Sequence, residues 1–266
     1  MDLELTGKVA LVTGGSRGIG KAIARELALE GADIALVARN PETLEETRRE
    51  IEAETGRRVI GVTADTSSDD SIRAMGRAVL DAFGRVDILV NAAARPGGQQ
   101  PPPRLHEIDT EAFDDEMHTK VLGYLRCARE VAPSMIQHGW GRIINVSGMA
   151  ARQTGTILGS IRNVSVVALT KNLADELGPH GINVTVVHPG TTRTERTAGV
   201  IAARAESTGV TPEEAEQQLA SGNSIKHLVD SREVAYVVAF LCSPKSIAIN
   251  GDVIAAGGGA PRAIHY

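Results

Sequence analysis

The chain has 266 residues, and 42% of them are hydrophobic and 23% charged, the ordinary balance of a folded globular protein. Its net charge of -5 disfavours a nucleic-acid partner, and no apolar run reaches membrane-spanning length. Cys127 and Cys242 lie far apart and outside any CxxC motif, and no His or carboxylate spacing indicates a metal. With no leader pattern at the acidic N-terminus, these features predict a cytoplasmic protein that holds no metal.

Short apolar runs alternate with longer amphipathic runs through the first half of the chain. They predict strands at Val9–Val12, Asp33–Ala38, Val59–Ala64 and Val86–Val90. They predict helices from the first glycine turn to about Leu29, over Glu42–Glu54 behind the N-cap Asn40, and over Asp69–Phe83. A loop rich in Gly, Gln and Pro, Arg95–Arg104, then breaks the alternation.

The second half resumes the same alternation. It predicts a long helix to Gln137, a strand at Arg142–Ser147, a helix over Ile157–Leu177, a strand at Asn183–His188, a helix over Glu233–Leu241 and a strand at Val253–Ala256. Because the strands are apolar throughout, we expect a parallel sheet covered on both faces. The predicted fold is α/β: a Rossmann-type doubly wound sheet of about seven strands in three αβα layers, forming one domain over residues 1–266.

The turn after the first strand is rich in glycine. It reads TGGSRGIG over residues 13–20, with the spacing GxxxGxG. A strand that passes into a helix through glycines leaves backbone N–H groups facing a phosphate, so the turn predicts a nucleotide site. A tight turn without any ligand is the alternative.

Further motifs follow in order: Ala64-Asp65, the NAAA of residues 91–94, the GRIINVS of 141–147, Pro189-Gly190 with Thr194, and Gly257-Gly258. The set resembles the short-chain dehydrogenase/reductase family from about Thr6 to Gly259. That resemblance implies a nicotinamide cofactor, a small-molecule substrate and a homodimer or homotetramer built on the helix Ile157–Leu177. It implies that the cofactor is held by Gly14, Ser16, Arg17, Gly18, Ile19, Gly20, Arg39, Asp65 at the adenine, Asn91 along the adenine ribose, Pro189, Gly190, and Thr194 at the carboxamide.

The end of the second predicted strand favours NADP over NAD. An NAD site places a carboxylate there, but this strand ends Val37-Ala38-Arg39-Asn40. With Arg17 in the glycine turn, two guanidinium groups could clamp a 2′-phosphate. The alternative is that Arg39 pairs with an acid of the next helix, such as Glu42.

The catalytic residues that the family resemblance implies are missing. In that family a tyrosine, a lysine one turn later, a preceding serine and an upstream asparagine share the proton transfer. Their positions here are taken by Gly159, Asn163, Gly148 and Lys120. No tyrosine lies between Tyr124 and Tyr236, so a shifted alignment does not restore the set.

Three residues are candidate replacements: Lys120 and Tyr124, four apart on one helix, and Ser147. We expect the Lys120 ammonium within about 4 Å of Asn163 or the cofactor ribose. The alternative is a solvated Lys120 and a Tyr124 that packs in the core. For His188 the sequence allows a structural or a catalytic role. It does not determine where the side chains of His118, Arg152 and Arg162 point.

The stretch Glu195–Gly222 occupies the position of the family's substrate lid. Three functions stay open at this point: a conventional NADP-dependent oxidoreductase of a small carbonyl or alcohol, an enzyme with a rebuilt site, and a nucleotide-binding sensor or scaffold without chemistry. The sequence favours the rebuilt site and leaves the substrate unidentified.

Overall fold

The computed structural model describes residues 1–94 and 102–261. A parallel sheet of seven strands runs through its middle. These strands are β1 Val9–Thr13, β2 Asp33–Ala38, β3 Val59–Thr63, β4 Ile88–Asn91, β5 Gly141–Val146, β6 Ile182–Pro189 and β9 Val253–Ala256. They lie side by side in the order β3-β2-β1-β4-β5-β6-β9. The strand order reverses between β1 and β4, and such a reversal opens a crevice at the carboxyl ends of the strands.

Helices cover both faces of this sheet. They are α1 Gly18–Leu29, α2 Pro41–Thr55, α3 Asp69–Phe83, α4 Thr110–Glu116, α5 Gly123–His138, α6 Ile157–Leu177, α7 Thr197–Thr208, α8 Pro212–Ala220 and α9 Ser231–Cys242. Every residue of β1, β4, β5 and β6 is buried, and separate apolar clusters fill the two sides of the sheet. The predicted three-layer fold is therefore confirmed.

Three local features differ from the sequence prediction. β4 begins at Ile88 rather than Val86, because the backbone N–H of Val86 donates to Ser134 Oγ instead of joining the sheet. The predicted long helix is divided by a π-helical turn over Met117–Leu122. A short parallel pair, β7 Thr192–Arg193 with β8 Val229–Asp230, was not predicted, because two-residue strands leave no periodic signal.

The two loops outside the sheet are described to different extents. The predicted lid contains α7 and α8, and Thr211 begins α8 with a capping box, as its sequence indicates. Most of the predicted loop Arg95–Arg104 lies outside the described residues. Within the described part of the chain, no helix combines the length and apolarity that crossing a membrane requires.

Candidate active site

A cavity of about 970 Å³ opens at the carboxyl ends of the strands, where the strand order reverses. Eleven of the twelve residues predicted to hold a cofactor have positions along it: Gly14, Ser16, Arg17, Gly18, Ile19, Gly20, Arg39, Asp65, Pro189, Gly190 and Thr194. The volume and lining of this cavity suit a dinucleotide.

Two glycines let the loop after β1 fold tightly at one end of this cavity. Gly14 has a φ of +67°, and a Cβ on it would lie 2.8 Å from the carbonyl oxygen of Ala92. A Cβ on Gly20 would lie 2.3 Å from the carbonyl oxygen of Gly14. A side chain at position 14 would therefore push the loop away from Ala92, and one at position 20 would push it away from α1, whose N-terminus carries the positive end of the helix dipole.

Arg17 and Arg39 are both exposed and line the same cavity. Asp65 accepts hydrogen bonds from the backbone N–H and the hydroxyl of Ser67, at 2.9 and 2.8 Å. The Ser67 backbone N–H is the main cause that lowers the pKa of Asp65, with a smaller effect of Arg39. Among the described residues no ion pair joins Arg39 to Glu42, so the Arg39 guanidinium faces the cavity without that alternative partner.

The side chain of Asn91, unlike the other residues predicted to hold a cofactor, points into the sheet. Its side chain is fully buried and does not line the cavity. Instead Asn91 Nδ2 donates to Asn145 Oδ1 at 2.9 Å, which joins the ends of β4 and β5. Since buried amides are usually hydrogen-bonded, the Asn91 side chain is used here to link two strands of the sheet, and its expected place along the ribose stays a prediction.

Glu195 makes a contact that the sequence does not predict. Its Oε1 accepts the backbone N–H of Gly18 at 2.8 Å, across 177 residues of chain. The residues at the start of α1 do not cap it. Arg17, which precedes the helix, makes no side-chain cap, and the first turn holds no acid. The carboxylate therefore lies where an anion is favoured, at the N-terminus of α1.

We expect Glu195→Gln to bind NADPH about three- to tenfold more tightly, because a phosphate placed near Gly18 would meet a neutral amide instead of a carboxylate. Calorimetry with NADPH measures the change. Glu213→Gln, an exposed acid of α8, is the control for loss of charge from the lid. Weaker binding by Glu195→Gln alone would mean that Glu195 supports the nucleotide site instead of competing with it.

Lys120 lies inside the protein, with 4% of its surface exposed, and its position lines the cavity. Its Nζ donates to the carbonyl oxygen of Ser147 at 3.0 Å and to Asn163 Oδ1 at 3.4 Å. The expected proximity of Lys120 and Asn163 is therefore confirmed, and the alternative of a solvated lysine is wrong. The π-helical turn carries Lys120, and such turns often occur at functional sites.

The pKa of Lys120 is lowered to about 7, chiefly by burial and to a smaller extent by the nearby Arg162 cation, while Glu116 opposes the shift. Tyr124 behaves differently. Its ring is 1% exposed, its hydroxyl donates to the Val146 carbonyl at 2.8 Å, and burial raises its pKa. Tyr124 thus packs in the core, as in the alternative interpretation, and does not line the cavity.

Ser147 lies at the end of β5, on the cavity wall, and its Oγ donates to the Asn163 carbonyl at 3.3 Å. Gly148 follows it, and the Gly148 backbone N–H donates to Nδ1 of the fully buried His188 at 3.2 Å. His188 thus accepts a hydrogen bond from the backbone beside the cavity. The Arg152 side chain does not line the cavity, and its Nη2 donates to the carbonyl oxygen of Val253.

Thr156 occupies the space beside Gly159 at the start of α6. Its Oγ1 accepts the backbone N–H of Gly159 at 3.2 Å and caps the helix. A Cβ on Gly159 would lie 2.6 Å from Thr156 Cγ2. Gly159 and Asn163 lie one turn apart on α6. Because Thr156 contacts the first and Lys120 the second, both side chains lie at the same end of this helix.

A glycine-rich turn at a strand-order reversal, with a large cavity beside it, is typical of a dinucleotide-binding protein of the Rossmann type. The family model "short chain dehydrogenase" matches residues 8–205. The chain belongs to this family, whose members include NAD(P)-dependent oxidoreductases, and the expected family is confirmed.

Individual relatives resemble the chain over nearly its whole length. It is 34% identical to the A-factor type gamma-butyrolactone 1'-reductase (1S-forming) of Streptomyces virginiae, over 96% of each chain. L-sorbose reductase from Gluconobacter frateurii, in complex with NADPH and L-sorbose, superposes with a TM-score of 0.92 at 29% identity, over 99% of this chain and 100% of that one. NAD⁺-bound xylitol dehydrogenase gives a TM-score of 0.86 at 27% identity, over 96% of this chain and 100% of that one.

Proposed function

We propose that the protein is an NADP(H)-dependent oxidoreductase of a small carbonyl compound or alcohol, with a rebuilt active site in which Lys120 transfers the proton. The observation that carries the proposal is the buried Lys120 Nζ on the cavity wall, 3.4 Å from Asn163 Oδ1. Family membership and NADPH-bound neighbours support the cofactor and the reaction class.

The proposal follows from the residues at four positions. Where the family resemblance implies serine, tyrosine, lysine and asparagine, this chain has Gly148, Gly159, Asn163 and Lys120. Asn163 bonds to Lys120, so the cation enters the site from the π-helical turn instead of from α6. Neither Gly159 nor Asn163 carries an acid, and the Tyr124 hydroxyl is engaged by Val146.

The two contacts of Lys120 leave one direction for chemistry. An ammonium has three N–H donors, and two of them point to the Ser147 carbonyl and to Asn163 Oδ1. The third is available to a carbonyl oxygen of a substrate in the cavity. After the proton has moved, the neutral amine keeps both contacts and presents its lone pair in the same direction. A pKa of about 7 suits both steps near neutral pH.

When bound, NADPH supplies the hydride that reduces the substrate's carbonyl carbon. Lys120 gives its proton to the carbonyl oxygen as the double bond becomes single, which yields the alcohol. Ser147, at the end of β5, lies on the same wall and is proposed to orient that oxygen. Arg17 and Arg39 are proposed to hold the 2′-phosphate that separates NADPH from NADH.

A two-stage experiment tests this function. Thermal shift with NADPH, NADP⁺, NADH and NAD⁺ first identifies the nucleotide, because specific binding raises the melting temperature by mass action. Small ketones, keto esters and sugars are then screened for NADPH oxidation, with alcohols for the reverse reaction. Nucleotide binding without turnover across the screen would favour the second candidate, a nucleotide-binding sensor or scaffold, which the missing tyrosine supports.

We also propose a homodimer or homotetramer built on α6. This helix exposes an apolar stripe of Ile157, Ile161 and Val164, each 42–50% exposed. We expect Ile161→Glu to reduce the mass measured by light scattering at micromolar concentration to that of a smaller species. Ile247→Glu, at an equally apolar exposed site after α9, is the control. A wild-type monomer would contradict the proposal. The cytoplasmic location stays a prediction.

A further inference from the structure

An ion pair lies beside Lys120 and reaches it through a shared acceptor. Arg162 of α6 donates from Nε to Asn163 Oδ1 at 3.3 Å, and the same oxygen accepts from Lys120 Nζ at 3.4 Å. Arg162 Nη1 in turn pairs with the carboxylate of Glu116, the last residue of α4. We call these two residues the Glu116–Arg162 pair.

The shared oxygen fixes the orientation of the Asn163 amide. With two cationic donors on Oδ1, the amide nitrogen Nδ2 is turned toward the Gly148 carbonyl, 3.5 Å away. An amide rotated by half a turn would point its N–H groups at Lys120 and Arg162 and lose both bonds. Arg162 therefore holds the acceptor that keeps the Lys120 ammonium at the cavity wall.

Glu116 is four residues before Lys120 but does not pair with it. The π-helical turn begins at Met117, directly after Glu116, and the carboxylate reaches across to α6 instead. The Glu116–Arg162 pair is only partly buried, with side-chain exposures of 25% and 18%, whereas Lys120 is 4% exposed. The pair is thus more accessible to solvent than the lysine that it adjoins.

The charges around Lys120 are few. From α6 it faces Arg162; on its own helical segment it has Glu116 and the Tyr124 ring, whose centroid is 5.9 Å from Nζ; and from the strand ends it has the Ser147 carbonyl, with His188 behind Gly148. Beyond burial, Arg162 lowers the pKa of Lys120 and Glu116 raises it. The two formal charges nearest to the ammonium therefore have opposite effects.

We propose that the Glu116–Arg162 pair positions Lys120 and sets when it is protonated: Arg162 fixes Asn163 Oδ1 and destabilises the ammonium, and Glu116 holds Arg162 and stabilises the ammonium. Both are positioning residues, since they act through Asn163 and through charge. The kinetic consequence rests on the proposed function, but the effect on the Lys120 proton does not.

The experiment is a direct titration of Lys120 in the intact protein. Carbon-13-labelled lysine reports each side chain by NMR, and the Lys120 signal is identified by its loss in Lys120→Met. We expect Arg162→Gln to raise the Lys120 midpoint by about one pH unit and Glu116→Gln to lower it by about half a unit or more. Arg162→Lys, which keeps the charge, should leave the midpoint near that of the wild type.

Glu111→Gln removes an exposed acid from the first turn of α4 and is the matched control, with no expected shift. Midpoints that do not move, or that move in the same direction in Arg162→Gln and Glu116→Gln, would overturn the inference. If either variant fails to fold, Arg162→Lys against Arg162→Met decides, because only the loss of charge should raise the midpoint.

The pH dependence of turnover separates this inference from the proposed function. If Lys120 is the proton donor, the alkaline limb of the reduction rate should follow the NMR midpoint in each variant. Opposite NMR shifts with an unchanged rate profile would support the Glu116–Arg162 pair and refute Lys120 as the acid. Opposite shifts in both measurements would support both proposals.

Discussion

Lys120→Met is expected to lower NADPH-dependent carbonyl reduction by about 100- to 10,000-fold, the usual contribution of a positioned acid. Methionine keeps the length and volume of the side chain but has no proton to give. Nucleotide affinity should change far less, because the glycine loop and Arg39 lie elsewhere along the cavity. Single-turnover measurements, with NADPH binding determined separately by calorimetry, distinguish the two effects.

Lys171→Met is the matched control for this variant. Lys171 lies on α6, is 58% exposed and pairs with Asp175. The Lys171→Met variant should reduce the carbonyl substrate at the wild-type rate. Reduction that proceeds at an undiminished rate in Lys120→Met would refute Lys120 as the donor and require another acid.

The same variant has a thermodynamic signature whose sign is fixed. The pKa of Lys120 is about 7 in the folded state and about 10.4 in an unfolded chain. Between these values only the unfolded state holds the proton, so wild-type stability rises with pH. Below pH 7 both states are protonated, and the folded protein carries the full cost of the buried charge. Lys120→Met should therefore unfold at a higher temperature at pH 7, and its advantage should shrink by pH 10.

Arg39→Asp is expected to invert the nucleotide preference. The wild type should bind NADPH at least tenfold more tightly than NADH, as one or two guanidinium–phosphate contacts provide. A carboxylate at the end of β2 repels the 2′-phosphate and can accept from a ribose hydroxyl, so NADH should become the better ligand. Calorimetric titration of each nucleotide into each variant gives the ratio.

Arg49→Asp makes the same charge change on the exposed side of α2, where Arg49 pairs with Glu45 and is 72% exposed. It should keep the wild-type ratio, which controls for long-range charge. Equal affinities of the wild type for NADPH and NADH would refute the 2′-phosphate argument for Arg17 and Arg39.

Local sequence patterns predicted the fold because each apolar run and each glycine stop describes its own segment. The proximity of Lys120 and Asn163 could also be predicted, since family motifs place both segments at one sheet edge. The contact of Glu195 with Gly18 could not, because it joins segments 177 residues apart and depends on side-chain direction. The π-helical turn likewise has no sequence signature, and without it the direction of Lys120 stays undetermined.

For Asn91, the family motif predicts the backbone position but not the side-chain partner. Its motif identified it correctly as a residue at the end of a strand, but motif position does not tell whether an amide faces a ligand or a neighbouring strand. In this structure the Asn91 amide donates to the side-chain oxygen of Asn145. A resemblance thus transfers backbone positions more safely than side-chain partners.

Engineering a tyrosine at position 159 would require more than one exchange. Its Cβ would meet Thr156 Cγ2 at 2.6 Å, and turning Thr156 aside would remove the cap of α6. A lysine at 163 would place a second ammonium against Lys120, and a side chain at 148 would press on Asn163 Nδ2 at 3.1 Å. Each substitution is opposed by a neighbour that suits the present residue, so the positions are epistatic. A stepwise mutational path to a tyrosine-based site is therefore expected to pass through variants with a destabilised start of α6.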